Sequence, residues 1–243
     1  MVRERPCFDM WDDSHVPWNR MKRSEINRYI AEAAAFFAAS SFSPPPFALW
    51  TPEDWRNLGD AANELRTQRL GWDVTDFGSA NFAACGLVLV TLRNGHSSRP
   101  ETAKPYAEKI MHVRDHQLTP FHFHAKKTED IINRSHSGTG NLAVQLYAST
   151  NDACFADTSF TAICDGIARQ VEPGGTVILG PGESITLPPF LYHAFHAIDG
   201  DALIGEVSST NNDDTDNHFY KPLARFPQIE EDEPPLHLLC TEY

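Results

Sequence analysis

The sequence predicts a mainly β fold: an antiparallel jelly-roll barrel, with helices from the N-terminal part of the chain packed outside it. Two observations carry this. From Gly86 onward, ten short segments rich in β-branched and aromatic residues are separated by Gly, Pro, Asn and Asp, with no helical pattern between them. That spacing leaves no room for the crossover helices of a doubly wound sheet or a (β/α) barrel. Helix-type periodicity is confined to the region before residue 80. The expected division is an extension over residues 1–20, a helical segment over 21–80, and the barrel with an irregular tail over 81–243, one domain overall.

In chain order, residues 1–20 mix Pro, Trp and charges without periodicity and read as an irregular extension or arm. They precede the start expected from the family resemblance described below, which leaves Met21 as an alternative initiator. Ser24 reads as the cap of a helix in which Ile26, Tyr29, Ile30, Ala33, Phe36 and Phe37 recur at steps of three and four. The prolines of SSFSPPPF end it. Thr51-Pro52-Glu53-Asp54 announces a second helix, with a capping hydroxyl, a proline in the first turn and acids at the positive end, expected to run to about Arg69. GWDVTDFGS then reads as a turn-rich connection. The β segments follow: GLVLVTLRNG, AEKIMHVRDHQ, FHFHA, DIINR, NLAVQLYAS, FTAICDGIARQVEP, TVILGP, SITLPP, YHAFHAI and ALIGEVSS. The proline-rich tail, DNHFYKPLARFPQIEEDEPPLHLLCTEY, reads as irregular.

Composition narrows the partners. A hydrophobic content of 41% supports an ordinary packed core, and 20 basic against 33 acidic residues give a formal charge of -13. Such a surface repels nucleic acid and anionic lipid. Five cysteines without a CxxC pair suggest reduced thiols, and no segment has the apolar length of a membrane span or of a signal peptide. A cytoplasmic location is the simplest expectation.

The chemistry starts at FHFHAKKTEDIINR. On a strand, His122 and His124 point to one face. With 11 histidines in the chain, one HxH pair arises by chance in roughly every second such sequence, so the pair alone says little. Glu129 adds to it, since the chain can turn after His124 and return with a carboxylate aimed at the same point. GESITLPPFLYH then places Gly182, Pro188 and His193 so that a third imidazole can join. His196 is a rival for that place, disfavoured by the register of Gly182 and Pro188. Three neutral imidazoles and a carboxylate suit divalent manganese, iron, cobalt, nickel or zinc, and leave two octahedral positions for substrate oxygens. His112 and His116 read as surface polar residues, and His136, His218 and His237 as loop residues.

HxHxxxxE followed by Gly-x5-Pro-x4-His resembles the paired motifs of cupins, small jelly-roll barrels that hold one metal inside. The glycine that usually opens the first motif is missing near Asp115-His116-Gln117. Two charged residues in otherwise apolar strands narrow the reaction. Glu206 in ALIGEVSS and Lys109 in PYAEKIMHV each need a polar cavity or a partner if they point inward. With O1 and O2 of an open-chain sugar held at the metal, a carboxylate can carry a proton between C2 and C1 while lysine or water serves the oxygens. That is aldose–ketose isomerisation. Lys126 and Lys127 lie beside the metal loop and compete for the lysine role, Lys127 reading better as a sugar-hydroxyl donor.

MKRSEINRYI, FALWTPEDW, LGWDVTDFG, YAEKI, TPFHFH, EDIINR, GEVSSTNNDDTDNHFY and RFPQIEEDEPP resemble, in order, the signature blocks of the bacterial D-lyxose isomerase family, from Met21 to Tyr243. The resemblance implies a metal held by His122, His124, Glu129 and His193, manganese above the other divalent ions. It places Lys109, Glu206 and Asp216 on active-site positions, Asp216 as a substrate contact. It further implies D-lyxose to D-xylulose conversion, D-mannose to D-fructose as a second activity, and a homodimer. The SHSGTG turn is slightly longer than the family's. Rival readings are a sugar-phosphate isomerase, a metal-dependent dioxygenase, and a sugar-binding cupin without turnover.

Overall fold

The computed structural model describes residues 20–96, 104–136 and 138–243; the extension expected over residues 1–20 lies outside the described residues except for Arg20. The chain begins with β1 (Arg20–Lys22), α1 (Arg23–Ala39), α2 (Pro52–Leu58), α3 (Asn63–Thr67), β2 (Gly71–Thr75) and β3 (Leu87–Arg93). It continues with β4 (Tyr106–Val113), β5 (Thr119–His124), β6 (Glu129–Asn133), β7 (Asn141–Ala148), β8 (Phe160–Cys164) and β9 (Ile167–Val171). Last come β10 (Thr176–Leu179), β11 (Ser184–Leu187), β12 (Leu191–Ile198), β13 (Ala202–Ser209), β14 (Asn217–Phe219) and β15 (Gln228–Glu230).

All ten expected β segments form strands. FTAICDGIARQVEP supplies two of them, β8 and β9, because Asp165 and Gly166 both take positive φ (50° and 78°) and close a tight hairpin. An eight-stranded sheet of order β2-β3-β4-β13-β6-β11-β8-β9 faces a five-stranded sheet of order β10-β7-β12-β5-β14, and β1 pairs in parallel with β15. The jelly roll is thus a two-sheet sandwich whose sheets do not hydrogen-bond into a closed ring among the described residues.

Strand alternation produces two cores. Leu89, Met111, Ile131, Val144, Phe195 and Ile204 fill the space between the sheets. Their strand neighbours Val88, Val90, Ile110 and Leu203 face outward and pack with Trp72 against Ile26, Ile30 and Phe37 of α1. The predicted apolar stripe of α1 is therefore buried, with Phe36 half-buried at its margin.

Four local expectations change, one being that the tail is not irregular throughout: it contributes β14, which carries His218 and pairs with β5, and β15, which pairs with β1. Ser24 does not cap α1: its amide and hydroxyl bond Asp232 of the tail at 2.9 and 2.7 Å, while Glu25 accepts the amide of Lys22 at 3.1 Å. The second helix starts as expected on Thr51, whose hydroxyl accepts from the Asp54 amide, but Gly59 at φ 50° and ψ -129° breaks it. A 3-10 turn and the short α3 follow. The GWDVT part of the presumed connection is β2, buried along its whole length at the edge of the large sheet. Polar Asp73 and Thr75 hide its strand character in the sequence.

Cys85, Cys164 and Cys240 are free thiols, whereas Cys154 is disulfide-bonded, so the reduced-thiol expectation holds for the first three. Among the described residues, no helix is long and apolar enough to cross a membrane.

Candidate metal centre

β5 and β12 are neighbours in the small sheet, and His122 faces His193 directly across their ladder, ring centroids 4.1 Å apart. The next matched pair is Phe195 with Thr119, so the register shifts at Pro120, a residue with no N–H to give the ladder. His124 follows His122 on the same face. Glu129 opens β6 on the opposite sheet. A ligand atom from each of these four residues lies within 4.8 Å of the others, and all four side chains are buried. His196 is half-buried three residues past His193 and its ring lies near that of His116 instead.

The imidazoles are oriented by backbone carbonyls. Nδ1 of His122 donates to Pro120 at 2.8 Å, Nδ1 of His124 to Asp216 at 3.2 Å, and Nδ1 of His193 to Leu191 at 3.1 Å. Those bonds assign the proton to Nδ1 and turn Nε2, bearing a lone pair, toward the common centre. Burial, reinforced by the neighbouring imidazoles, pushes the His122 pKa well below the usual histidine range; burial and then Lys127 do the same to His124. Burial alone would raise the Glu129 carboxyl, yet Lys127, His124 and His193 hold it well below the carboxylate range. His122 and His124 are therefore neutral nitrogen donors beside an anionic Glu129.

Does a cation fit? Nε2 of His193 and Oε1 of Glu129 approach to 3.1 Å, and Nε2 of His193 and Oε2 of Glu129 are buried without a hydrogen-bond partner. Lys127 Nζ is 2.6 Å from Oε2, a charge pair without hydrogen-bond alignment. A buried imidazole nitrogen facing a carboxylate oxygen with no proton between them is costly, and one divalent ion would satisfy both.

Beside this centre lie the other predicted residues. Glu206 on β13 and Lys109 on β4 are register partners on the inner face of the large sheet. Lys109 Nζ is 3.1 Å from Glu206 Oε1, and Lys127 Nζ reaches the same oxygen at 3.0 Å. Lys126 is exposed and outside the cluster. Burial lowers the Lys127 pKa but Glu129 and Glu206 outweigh it, so its ammonium stays charged. Asp216 is buried against this centre. Its carboxylate accepts the amides of Lys126 and Lys127 at 2.8 and 3.0 Å, fixing the β5–β6 turn, while its carbonyl orients His124.

Sequence reasoning missed three residues here. Asp213 and Arg225 line the same cavity as the four clustered side chains. Arg225 Nη2 bonds Asp73 at 2.5 Å and lies 3.6 Å from Asp213, while its Nη1 is buried without a partner. Burial would raise the Asp213 carboxyl, but Arg225, Lys109 and Lys127 hold it far below its ordinary value. Asn211 joins the lysines to Asp213. All three come from irregular chain, where no periodicity marks an inward side chain. His112, read as a surface residue, is buried on β4 instead, bonded to Asp201 at 2.6 Å and stacked on Phe36 at 4.1 Å.

Comparison with known proteins agrees with this geometry. The family model described as D-lyxose isomerase matches residues 21–243. The chain belongs to the D-lyxose isomerase family. Within that family it is 51% identical over 226 residues to the D-lyxose/D-mannose isomerase of Escherichia coli O157:H7, covering 92% of this chain and 98% of that one. The protein of the same name from Serratia proteamaculans is 49% identical over 227 residues, with the same coverage. Among solved structures, the Cellulomonas parahominis L-ribose isomerase with L-psicose aligns at a TM-score of 0.57 and 18% identity, over 87% of this chain and 99% of that one. The Acinetobacter sp. DL28 L-ribose isomerase with L-ribose aligns at 0.58 and 15%, over 88% and 100%. At those identities the likeness speaks for the fold alone.

Proposed function

We propose that this protein is a metal-dependent aldose–ketose isomerase that interconverts D-lyxose and D-xylulose, with D-mannose and D-fructose as a second pair. The observation that carries the reading is the convergence of three imidazoles and Glu129 beside a buried Lys109–Glu206 pair. Membership of the family supports the substrate class.

A bound divalent ion would act as a Lewis acid on the two adjacent oxygens of the open-chain sugar and acidify its C2 proton. His122, His124, Glu129 and His193 would hold it, and manganese is the proposed occupant. Glu206 takes the proton as the C2–H bond breaks and returns it as the C1–H bond forms. Lys109 hydrogen-bonds Glu206 and Asn211 and keeps one ammonium proton for a sugar oxygen, so it assists the accompanying proton transfer between O2 and O1. Lys127 already has Glu129, Glu206 and Asn211 within 3.2 Å, so serving a sugar hydroxyl requires it to exchange one of them. Phe77, Leu87 and Leu89 on the cavity wall limit water around the reacting carbons. Arg225 enters the cavity already neutralised by Asp73 and Asp213, which disfavours a phosphorylated sugar. We further propose a homodimer working in the cytoplasm.

The test is an aldose panel assayed after chelation and re-addition of single divalent ions. D-Lyxose should be converted to D-xylulose only with metal, best with manganese, equally well under argon and without competition from inorganic phosphate. Oxygen dependence, or solvent deuterium entering none of the sugars, would overturn the reading.

A further inference from the structure

Lys109 and Lys127 are like charges buried side by side, and both turn to a single acceptor. Lys109 Nζ donates to Asn211 Oδ1 at 3.1 Å and Lys127 Nζ donates to it at 3.2 Å. On the other side of the same amide, Asn211 Nδ2 donates to Asp213 at 3.0 Å. The two sides cannot be exchanged: turning the amide over would set its NH₂ against two ammoniums and its oxygen against a carboxylate. A neutral side chain with an acceptor on one flank and a donor on the other is what this place requires. An acid would crowd Asp213, and an apolar residue would leave the ammoniums short of an acceptor.

Asn211 lies two residues past the end of β13, where nothing in the strand ladder fixes it. Asn94, just past β3, does so. Its Oδ1 accepts the Asn211 amide at 2.9 Å and its Nδ2 donates to the Asn211 carbonyl at 3.1 Å. Asn94 is buried and also donates to the Gln68 carbonyl. Thus a side chain from one strand end grips the backbone of another, and the gripped residue sets both lysines against Glu206.

We propose that Asn211 is a positioning residue for the Glu206 proton transfer and that Asn94 acts through it. The proposal rests on the isomerase reading in assigning that transfer to Glu206. It predicts that Asn211→Ala lowers kcat by about 100-fold, the scale of a misplaced catalytic group, while KM stays within about threefold. Metal content should not change, and the isotope effect from deuterium at C2 should grow as proton transfer becomes rate-limiting. Proton–nitrogen NMR of the lysine ammoniums gives a second readout that needs no turnover. Two slowly exchanging buried signals in the wild type should vanish in Asn211→Ala. They should persist in Asn211→Asp, which keeps the acceptor toward the two ammoniums at the cost of crowding Asp213, and which should therefore lose less turnover than Asn211→Ala but not match the wild type. The Asn94→Ala/Asn211→Ala double variant should be no slower than Asn211→Ala alone.

Wild-type kcat with both ammonium signals intact in Asn211→Ala would overturn the proposal, as would additive losses in the double variant. A wild type that isomerises no aldose would instead strike the functional reading, and the ammonium signals would still decide whether Asn211 places the lysines.

Discussion

Arg23 and Glu206 are both buried charges, but their surroundings differ in a telling way. Arg23 is 1% exposed, and its guanidinium is used on every side: Nε and Nη2 reach Glu231 at 2.9 and 2.7 Å, and Nη1 reaches Glu242 at 3.1 Å. These bonds fasten the tail to the start of α1 and leave no guanidinium nitrogen seeking a partner. Around Glu206 the charges also pair, yet they do so along the wall of a shared cavity, and Glu129, His193 and Arg225 each keep an atom without a partner. Burial and ion pairing are common to both clusters. Polar atoms left unmatched along a shared cavity mark the site, and a closed set of bonds marks the fastening.

This contrast can be broken by mutation, beginning with the largest effect. Glu206→Gln should keep the metal content and the fold but lower turnover about 1,000-fold, as expected for loss of a general base. Assay of D-lyxose conversion beside metal analysis checks it, and retained turnover would remove Glu206 as the base. Manganese should raise the melting temperature of the wild type, and His193→Ala should abolish that rise. At 100 times its dissociation constant, such a ligand stabilises by about 2.7 kcal/mol.

Arg23→Met should do the reverse, lowering the unfolding free energy by about 2 kcal/mol while leaving kcat within twofold. The figure sits below the 3–5 kcal/mol for a fully buried pair because Glu231 is 56% exposed. The smallest effect is in pH. The hydrogen bond from Arg23 holds the Glu231 carboxyl below its ordinary value of 4.5, so its stabilisation is present above that value and lost as pH falls through the depressed one. Denaturant melts from pH 6 to pH 3 should therefore fall slightly less steeply in Arg23→Met, by a few tenths of a kcal/mol at this exposed carboxylate.

How far the sequence reveals these features depends on whether a residue belongs to a repeating pattern. Ile26, Ile30, Ala33 and Phe37 recur at helical steps and are buried. The four candidate ligands stand at motif spacing, and their side chains meet. The long second helix failed because a single glycine at positive φ outweighs the propensity around it. β2 escaped notice because Asp73 is stabilised by Arg225, about 150 positions away, a partner no local window contains. Asp213, which lines the cavity, escaped notice for a similar reason: in a loop, no periodicity tells which carboxylate turns inward. His112 looked like a surface residue because its partner Asp201 lies on the far side of the chain order.

The register shift at Pro120 has one more consequence. Were β5 to slide by a single position against β12, both of its imidazoles would swing to the opposite side of the sheet. A misaligned molecule would look folded by its amide signals while holding no ion, so the stoichiometry of bound divalent ion doubles as an inspection stamp on how each chain was assembled.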